Sequence, residues 1–181
     1  MSGGQEVFDG FCYTGGFALA AALGGAKTVE AVDLDEDALS IAERNKTLNG
    51  VGPQLTFTHG NVFDVLRTRK TAGQRYTRMI LDPAKQATSR VEVPKALSAY
   101  ADMNRLGMQC IAPGGILVSC SCTGLVSEED FLSALHAAAA EAQVTLQILA
   151  VRGAPPDHPW AIHAPEGLYL KVVFSRVMPR R

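Results

Sequence analysis

The chain is constrained most by a rhythm. Short apolar runs alternate with longer segments of helical period, and a polar residue or a glycine closes each run. "QEVFDGF" reads as a strand and "GFALAAALGG" as a helix closed by glycine. "TVEAVDL" is a second strand. "DEDALSIAERNKTLNG" is a helix capped by Asp35, with acids in its first turn and Asn49-Gly50 at its stop. "QLTFTHG", "YTRMILDP" and "ILVSCSC" read as further strands. "NVFDVLRTRKTAG", "VPKALSAYADMNRLGMQCIAPGG" (a long helix, then a Pro-Gly-Gly turn) and "SEEDFLSALHAAAAEAQ" supply the helices between and after them. "VTLQILAVRG" and "GLYLKVVFSRV" close the chain as two strands. Steady alternation of this kind predicts parallel βαβ units. The last two strands have only a loop between them, too short for a parallel crossover, so the final strand is antiparallel. The expected fold is α/β: a Rossmann-like, doubly wound, mostly parallel seven-stranded sheet with an antiparallel last strand.

A chain of 181 residues, 47% apolar and 19% charged, suits one globular domain over 1–181. The formal net charge of −1 excludes an overall basic field that would attract nucleic acid by itself. RNA binding would have to come from a local patch, another domain or a partner. The first ten residues, "MSGGQEVFDG", have no basic start and no long apolar region, and no apolar run has bilayer length. The expected setting is cytoplasmic, with Cys12, Cys110, Cys120 and Cys122 as free thiols.

In such sheets ligands bind beyond the carboxyl ends of the strands. The first end offers Asp9, Phe11, Tyr13, Thr14, Gly15 and Gly16; the second Asp33 and Leu34; the third Asn61; the fourth Asp82-Pro83; the fifth Cys122. Tandem glycines permit a tight turn and close backbone approach. A carboxylate such as Asp33 at the second strand end accepts hydrogen bonds from both ribose hydroxyls, and the Asn61 amide suits an adenine edge. The loop "GFCYTGG" lacks the Gly-x-Gly-x-x-Gly of a pyrophosphate-binding turn. An adenosyl ligand without phosphate, S-adenosylmethionine, fits better, and Asp9 then sits near its cationic parts. Each feature has a plain structural alternative: Gly-Gly as a turn, an acid at a strand end as a helix cap. The coincidence of strand ends is what favours a ligand.

"FCYTGGFALAA", "AVDLDEDALSIAERN", "GNVFDVLR", "LDPAK", "APGGILVSCSCTGL" and "DHPW…PEGLYLK" together resemble the bacterial ribosomal RNA large-subunit methyltransferases of the RlmI type. The likeness runs from about Val7 to Met178. It implies a class I S-adenosylmethionine-dependent enzyme that makes 5-methylcytosine in 23S RNA. That family usually reads Asp-Pro-Pro-Lys where this chain has Asp82-Pro83-Ala84-Lys85, which relaxes a loop the family keeps rigid. It also carries an N-terminal RNA-binding PUA domain and a linking domain, which this sequence does not contain.

Carbon 5 of cytosine is a poor nucleophile, and addition of a thiolate to carbon 6 activates it. By resemblance Cys122, in Ser121-Cys122-Thr123-Gly124, matches the cysteine of the family's Ser-Cys-Ser-Gly turn; Cys120, two residues earlier on the same strand face, reads as core. Asp82 is expected to bond the base or its ring nitrogen, with Pro83 and Lys85 contacting substrate. No second ligand pair accompanies Cys120 and Cys122 at zinc spacing, so no metal is expected. Glu166 and His158 are titratable candidates for the base that removes the carbon 5 proton. Lys171 belongs to a closing segment that reads mainly as packing. The basic stretch Arg67–Arg78 reads as a solvated helix end rather than an RNA contact. Two other classes remain open: a methyltransferase acting on another atom, and a non-catalytic cofactor-binding module. An aromatic residue in place of Lys85 would have favoured the first.

Overall fold

The computed structural model describes residues 4–156 and 158–180. The order is β1 (Glu6–Gly10), α1 (Gly16–Leu23), β2 (Thr28–Asp33), α2 (Glu36–Leu48), β3 (Leu55–His59), α3 (Val62–Thr71), β4 (Tyr76–Leu81), α4 (Val93–Gln109), β5 (Ile111–Ser121), α5 (Glu128–Ala142), β6 (Val144–Arg152) and β7 (Lys171–Pro179). One seven-stranded sheet runs β3-β2-β1-β4-β5-β7-β6. β1 to β5 pair in parallel, and β7 is antiparallel to both of its neighbours. Strand order reverses between β1 and β4, the switch point at which such sheets bind ligands.

Local chemistry sets the helix ends. The Asp35 carboxylate accepts the Ala38 N–H (3.0 Å), and the Asn61 side-chain oxygen accepts that of Phe63 (2.9 Å). Ser127 and Asp130 close a reciprocal capping box on α5. Pro94 enters α4 in its first turn, where its missing N–H costs nothing.

The apolar faces form two clusters. The larger lies among β4, β5, β7, α3, α4 and α5, built on Phe8, Leu66, Met79, Leu81, Leu117 and Phe131; the smaller lies around β1 to β3 and α1. Burial of this apolar surface is the main stabilising contribution, about 25 cal/mol per Å².

One element differs from expectation. "IAPGG" is not a turn between a helix and a strand; it lies within β5. Tyr76 pairs with Ile111 and Arg78 with Ile116, so the extra residues form a bulge. Gly114 takes φ +82° there, and a side chain on Gly115 would start 3.0 Å from the Thr77 carbonyl. The turn signal was absorbed because β4 holds both sides of it.

Candidate active site

The site begins where β1 ends. Phe11 and Cys12 donate their N–H groups to the Val32 carbonyl (2.9 and 3.1 Å), which pins the turn after β1 onto β2. The Tyr13 N–H donates to Asp33 Oδ2 (2.7 Å), the Asp35 N–H to Asp33 Oδ1 (3.0 Å), and the Asn45 amide to the Thr14 carbonyl (3.1 Å). Phe11 and Tyr13 hold positive φ of 67° and 49°, a conformation that clusters at functional sites in non-glycine residues. Gly15 has φ +84°, and a Cβ there would lie 2.9 Å from the Phe57 ring, so only glycine fits. A Cβ on Gly16 would point into open space. α2, α3 and α5 carry side-chain caps, whereas α1 and α4 carry none; α4 has Pro94 in its first turn, while α1 starts on the glycine turn at the rim.

Beneath that turn lies Asp9, fully buried, with neither carboxylate oxygen hydrogen-bonded among the described residues. Burial pushes its carboxyl up to about 7, and the negative charges of Asp82 and Asp33 add to the rise. The Ala18 amide, oriented towards it without closing a bond of ordinary geometry, offsets only part of this. An orphaned buried carboxylate is costly unless a cation or a donor arrives.

Past the switch point a cleft of about 700 Å³ opens. Phe11, Tyr13, Asp33 and Leu34 line one side; Asp82, Pro83, Ala84 and Cys122 line the other; His158 and Tyr169 come from the segment between β6 and β7. A second cleft, of about 490 Å³, is walled by Lys85, Gly124, Leu125, Glu166 and Leu168. Cys122 and Tyr169 line both, so the sulfur stands where the two clefts meet. Cys12, Cys110 and Cys120 are buried, and Cys122 is the cysteine that reaches solvent. Burial, then Asp82, raises the Cys122 thiol; Lys171 and Lys85 act in the opposite sense. Burial likewise raises the Asp82 carboxyl, while a hydrogen bond from the Cys120 thiol lowers it.

The loop from Asp82 to Glu92 is held in place of the second proline by hydrogen bonds. The Gln86 N–H donates to Thr123 Oγ1 (2.9 Å), and the Gln86 amide to the Ala84 carbonyl (2.7 Å). Glu92 accepts from Thr88 N–H (2.7 Å), Thr88 Oγ1 (2.9 Å) and Ser89 N–H (3.0 Å), which holds its carboxyl down to about 2. Behind the loop runs a chain of hydroxyls: Ser121 Oγ donates to Tyr100 (3.0 Å), whose hydroxyl in turn meets Thr123 Oγ1 (2.8 Å). Lys171 Nζ donates to the carbonyls of Thr123 and Val126, both at 2.7 Å.

The structure thus brings Phe11, Tyr13, Asp33, Leu34, Asp82, Pro83 and Cys122 to one cleft and Lys85 to its neighbour. Asp9 lies below the floor, and Thr14, Gly15, Gly16 and Asn61 shape the turn and the third strand end without lining the cleft. Sequence reasoning quoted Tyr169 in the closing motif and Thr123 in the cysteine turn without giving either a role, and it passed over Tyr100. Two of the five cations of the Arg67–Arg78 stretch are ion-paired: Arg67 bonds Asp64 and Asp102, and Arg69 forms a bidentate pair with Glu30, which Tyr76 also contacts; Arg75 and Arg78 donate to the carbonyls of Gln74 and Thr77. Asp157 of the closing motif lies outside the described residues. Among the described residues no group of His, Cys, Asp and Glu is arranged to hold a metal ion, and no helix is long and apolar enough to cross a membrane.

These donors suit one kind of cofactor. A buried unpaired carboxylate asks for a cation, an uncapped helix start favours a carboxylate, and Asp33 keeps lone pairs for hydroxyls. S-adenosylmethionine carries a sulfonium and an ammonium, a carboxylate and a ribose diol.

The family model of S-adenosylmethionine-dependent methyltransferases matches residues 1–173. The chain is 41% identical over 174 residues to ribosomal RNA large subunit methyltransferase I of Aeromonas hydrophila, covering 96% of this chain and 44% of that protein. It is 38% identical over 178 residues to the protein of the same name from Serratia proteamaculans, covering 98% and 45%. The chain therefore spans less than half the length of these relatives. In three dimensions it is similar to SMU.776, a methyltransferase complexed with SAH: TM-score 0.86 at 21% identity, covering 97% of this chain and 46% of that one.

Proposed function

The chain belongs to the S-adenosylmethionine-dependent methyltransferase family, and from that premise we propose that it methylates carbon 5 of a cytosine in large-subunit (23S) ribosomal RNA through an adduct on Cys122. The observation that carries this reading is the position of Cys122, the solvent-reaching cysteine, at the junction of the two clefts. The names of the relatives supply the RNA class, and an RNA substrate of that class puts the reaction in the cytoplasm.

S-adenosylmethionine supplies an electrophilic methyl group on a sulfonium sulfur. Phe11, Tyr13, Asp33, Leu34 and Asp82 would line its site, above Asp9 and beside the turn and strand end that Thr14, Gly15, Gly16 and Asn61 shape: Asp33 would take the ribose hydroxyls, the Asn61 amide group would be left for the adenine edge while its oxygen caps α3, and Asp9 would balance the cationic end. The target pyrimidine enters from the second cleft, with Lys85 towards phosphate, Tyr169 beside the ring and Pro83 against its edge.

The Cys122 thiolate donates its electron pair to carbon 6, and the C5–C6 π pair becomes available at carbon 5. Asp82, whose carboxyl holds its proton to higher pH than an exposed one, passes that proton to the ring nitrogen as charge builds there. Once carbon 5 carries the methyl group, its proton leaves to a base; Glu166 and His158 are titratable side chains that the segment between β6 and β7 brings to the two clefts. The C5–C6 double bond returns, the C6–S bond breaks with its pair on sulfur, and the ring-nitrogen proton goes back to Asp82.

The chain, incubated with labelled S-adenosylmethionine and naked large-subunit RNA, should place label on cytosine carbon 5, and Cys122→Ala should abolish it. Label on another atom, untouched by the substitution, would overturn the adduct. RNA carrying 5-fluorocytosine should remain covalently attached to Cys122, because no proton can leave from carbon 5.

A further inference from the structure

Lys171 is a lysine where lysines are rarely found. It opens β7, is 6% exposed, and is paired in register with Ser121 of β5, one residue before the reactive cysteine. It has no carboxylate partner within salt-bridge distance among the described residues. Its ammonium instead donates to two backbone carbonyls, Thr123 and Val126, at 2.7 Å each. Those carbonyls belong to the turn that leaves β5 immediately after Cys122. Packing alone would be better served by an apolar residue, since a buried ammonium carries a desolvation cost.

We propose that Lys171 is a positioning residue for the Cys122 sulfur: its ammonium clamps the Thr123–Val126 turn from within the sheet and provides a fixed positive charge that favours the thiolate. The inference rests on Cys122 being the attacking sulfur, as proposed above. The groups around that sulfur are of both signs. Asp82 at the end of β4 opposes the thiolate, and burial does so more strongly. Lys85 in the following loop and Lys171 in β7 favour it. Tyr100 of α4 and Cys120 of β5 lie close enough to feel its charge, and Asp33, Asp35, His158 and Glu166 line the two clefts. Lys85 sits on a loop at the cleft wall, whereas Lys171 is fixed by two bonds and by the strand. A thiolate is the nucleophile and a thiol is not, so a cation that favours the thiolate raises the reactive fraction of the sulfur, acting with a backbone hydrogen bond at Cys122 and against burial and Asp82; burial lowers the Lys171 ammonium in turn, and Glu128 of α5 opposes that lowering.

The test reads the sulfur directly, without RNA. Iodoacetamide labelling of Cys122, followed by peptide mass spectrometry across pH, gives the titration of that thiol. In Lys171→Met the curve should move to higher pH, with labelling at pH 7 slowed by roughly tenfold, and Lys171→Arg should restore the rate to within about twofold. A Lys171→Met curve that overlays the native one, in protein whose melting is cooperative, overturns the inference. Should Lys171→Met fail to fold, the native chain still decides. The buried, slowly exchanging lysine ¹⁵Nζ resonance should show an inflection at the Cys122 titration that is missing in Cys122→Ser. An inflection that persists in Cys122→Ser, or never occurs, overturns the proposal. A shifted labelling curve in a chain that traps no 5-fluorocytosine RNA sustains the coupling and removes the adduct reading instead.

Discussion

The two halves of the rim treat their polar groups in opposite ways. On the β1–β3 side the structure leaves valences open: Asp9 is buried with neither oxygen hydrogen-bonded among the described residues, α1 starts without a side-chain cap, and Asp33 is only partly engaged. On the β4–β5–β7 side nearly everything is tied. Ser121, Tyr100, Thr123 and Gln86 form one hydrogen-bonded chain, Lys171 grips the next turn, and Ser119 bonds Asn104. The proposed function assigns the first half to a ligand that completes it, and the second to holding one sulfur still. Open valences are stabilised by what binds; closed ones hold geometry before anything binds.

The sharpest way to break this contrast is Asp9→Asn. Loss of the carboxylate should weaken S-adenosylmethionine binding at pH 8 by roughly 100-fold, about 2.7 kcal/mol, measured by calorimetry. The same residue has a pH signature. Its folded carboxyl stands above the ordinary value of 3.8, at about 7, so its stabilising contribution is full below the unfolded value and is lost as pH rises through the folded one. The unfolding free energy of the native chain should fall over that window, by up to about 4 kcal/mol at the upper end, with a matching fall in melting temperature that Asp9→Asn removes. If cofactor affinity is unchanged in Asp9→Asn, the β1–β3 side is not arranged for a cation.

Thr123→Val tests the other half. It removes the hydroxyl that accepts from Gln86 and meets Tyr100, leaving buried polar groups without that partner. We expect a loss of about 2 kcal/mol in stability and slower methylation, with cofactor affinity unchanged. A fall in cofactor affinity of the same size would show that the halves are not separable.

Gly15→Ala should cost about 1–3 kcal/mol, from its positive φ and the contact with Phe57, and weaken cofactor binding along with stability. The smallest effect is expected of Asn61→Ala. Losing the cap of α3 costs about 1 kcal/mol, and urea denaturation will read it. An accompanying loss of cofactor affinity would assign the Asn61 amide to the ligand; its absence would leave Asn61 a cap.

Much of the β1–β3 side was legible beforehand because its signals are local. The Gly15 turn, the Asp35 cap and Asp33 at the second strand end lie within a few residues of the elements they serve. The β4–β5–β7 side was legible only in part. Cys122 could be marked from its turn and Asp82 from its strand end. Lys171, in contrast, had no settled role within a closing segment that read mostly as packing, since its partners Thr123 and Val126 are far away in the chain. "IAPGG" read as a turn because its pairing partner, Tyr76, lies outside any local window.

The sequence by itself determined the alternation of strands and helices, the cap residues and the polar strand ends, because period and capping are properties of neighbouring residues. Only the tertiary structure decided that β7 lies between β5 and β6, that Lys171 is thereby buried beside the cysteine turn, and that two clefts share one sulfur. Those facts depend on which surfaces are buried against each other, and burial belongs to the packed molecule rather than to any segment of it.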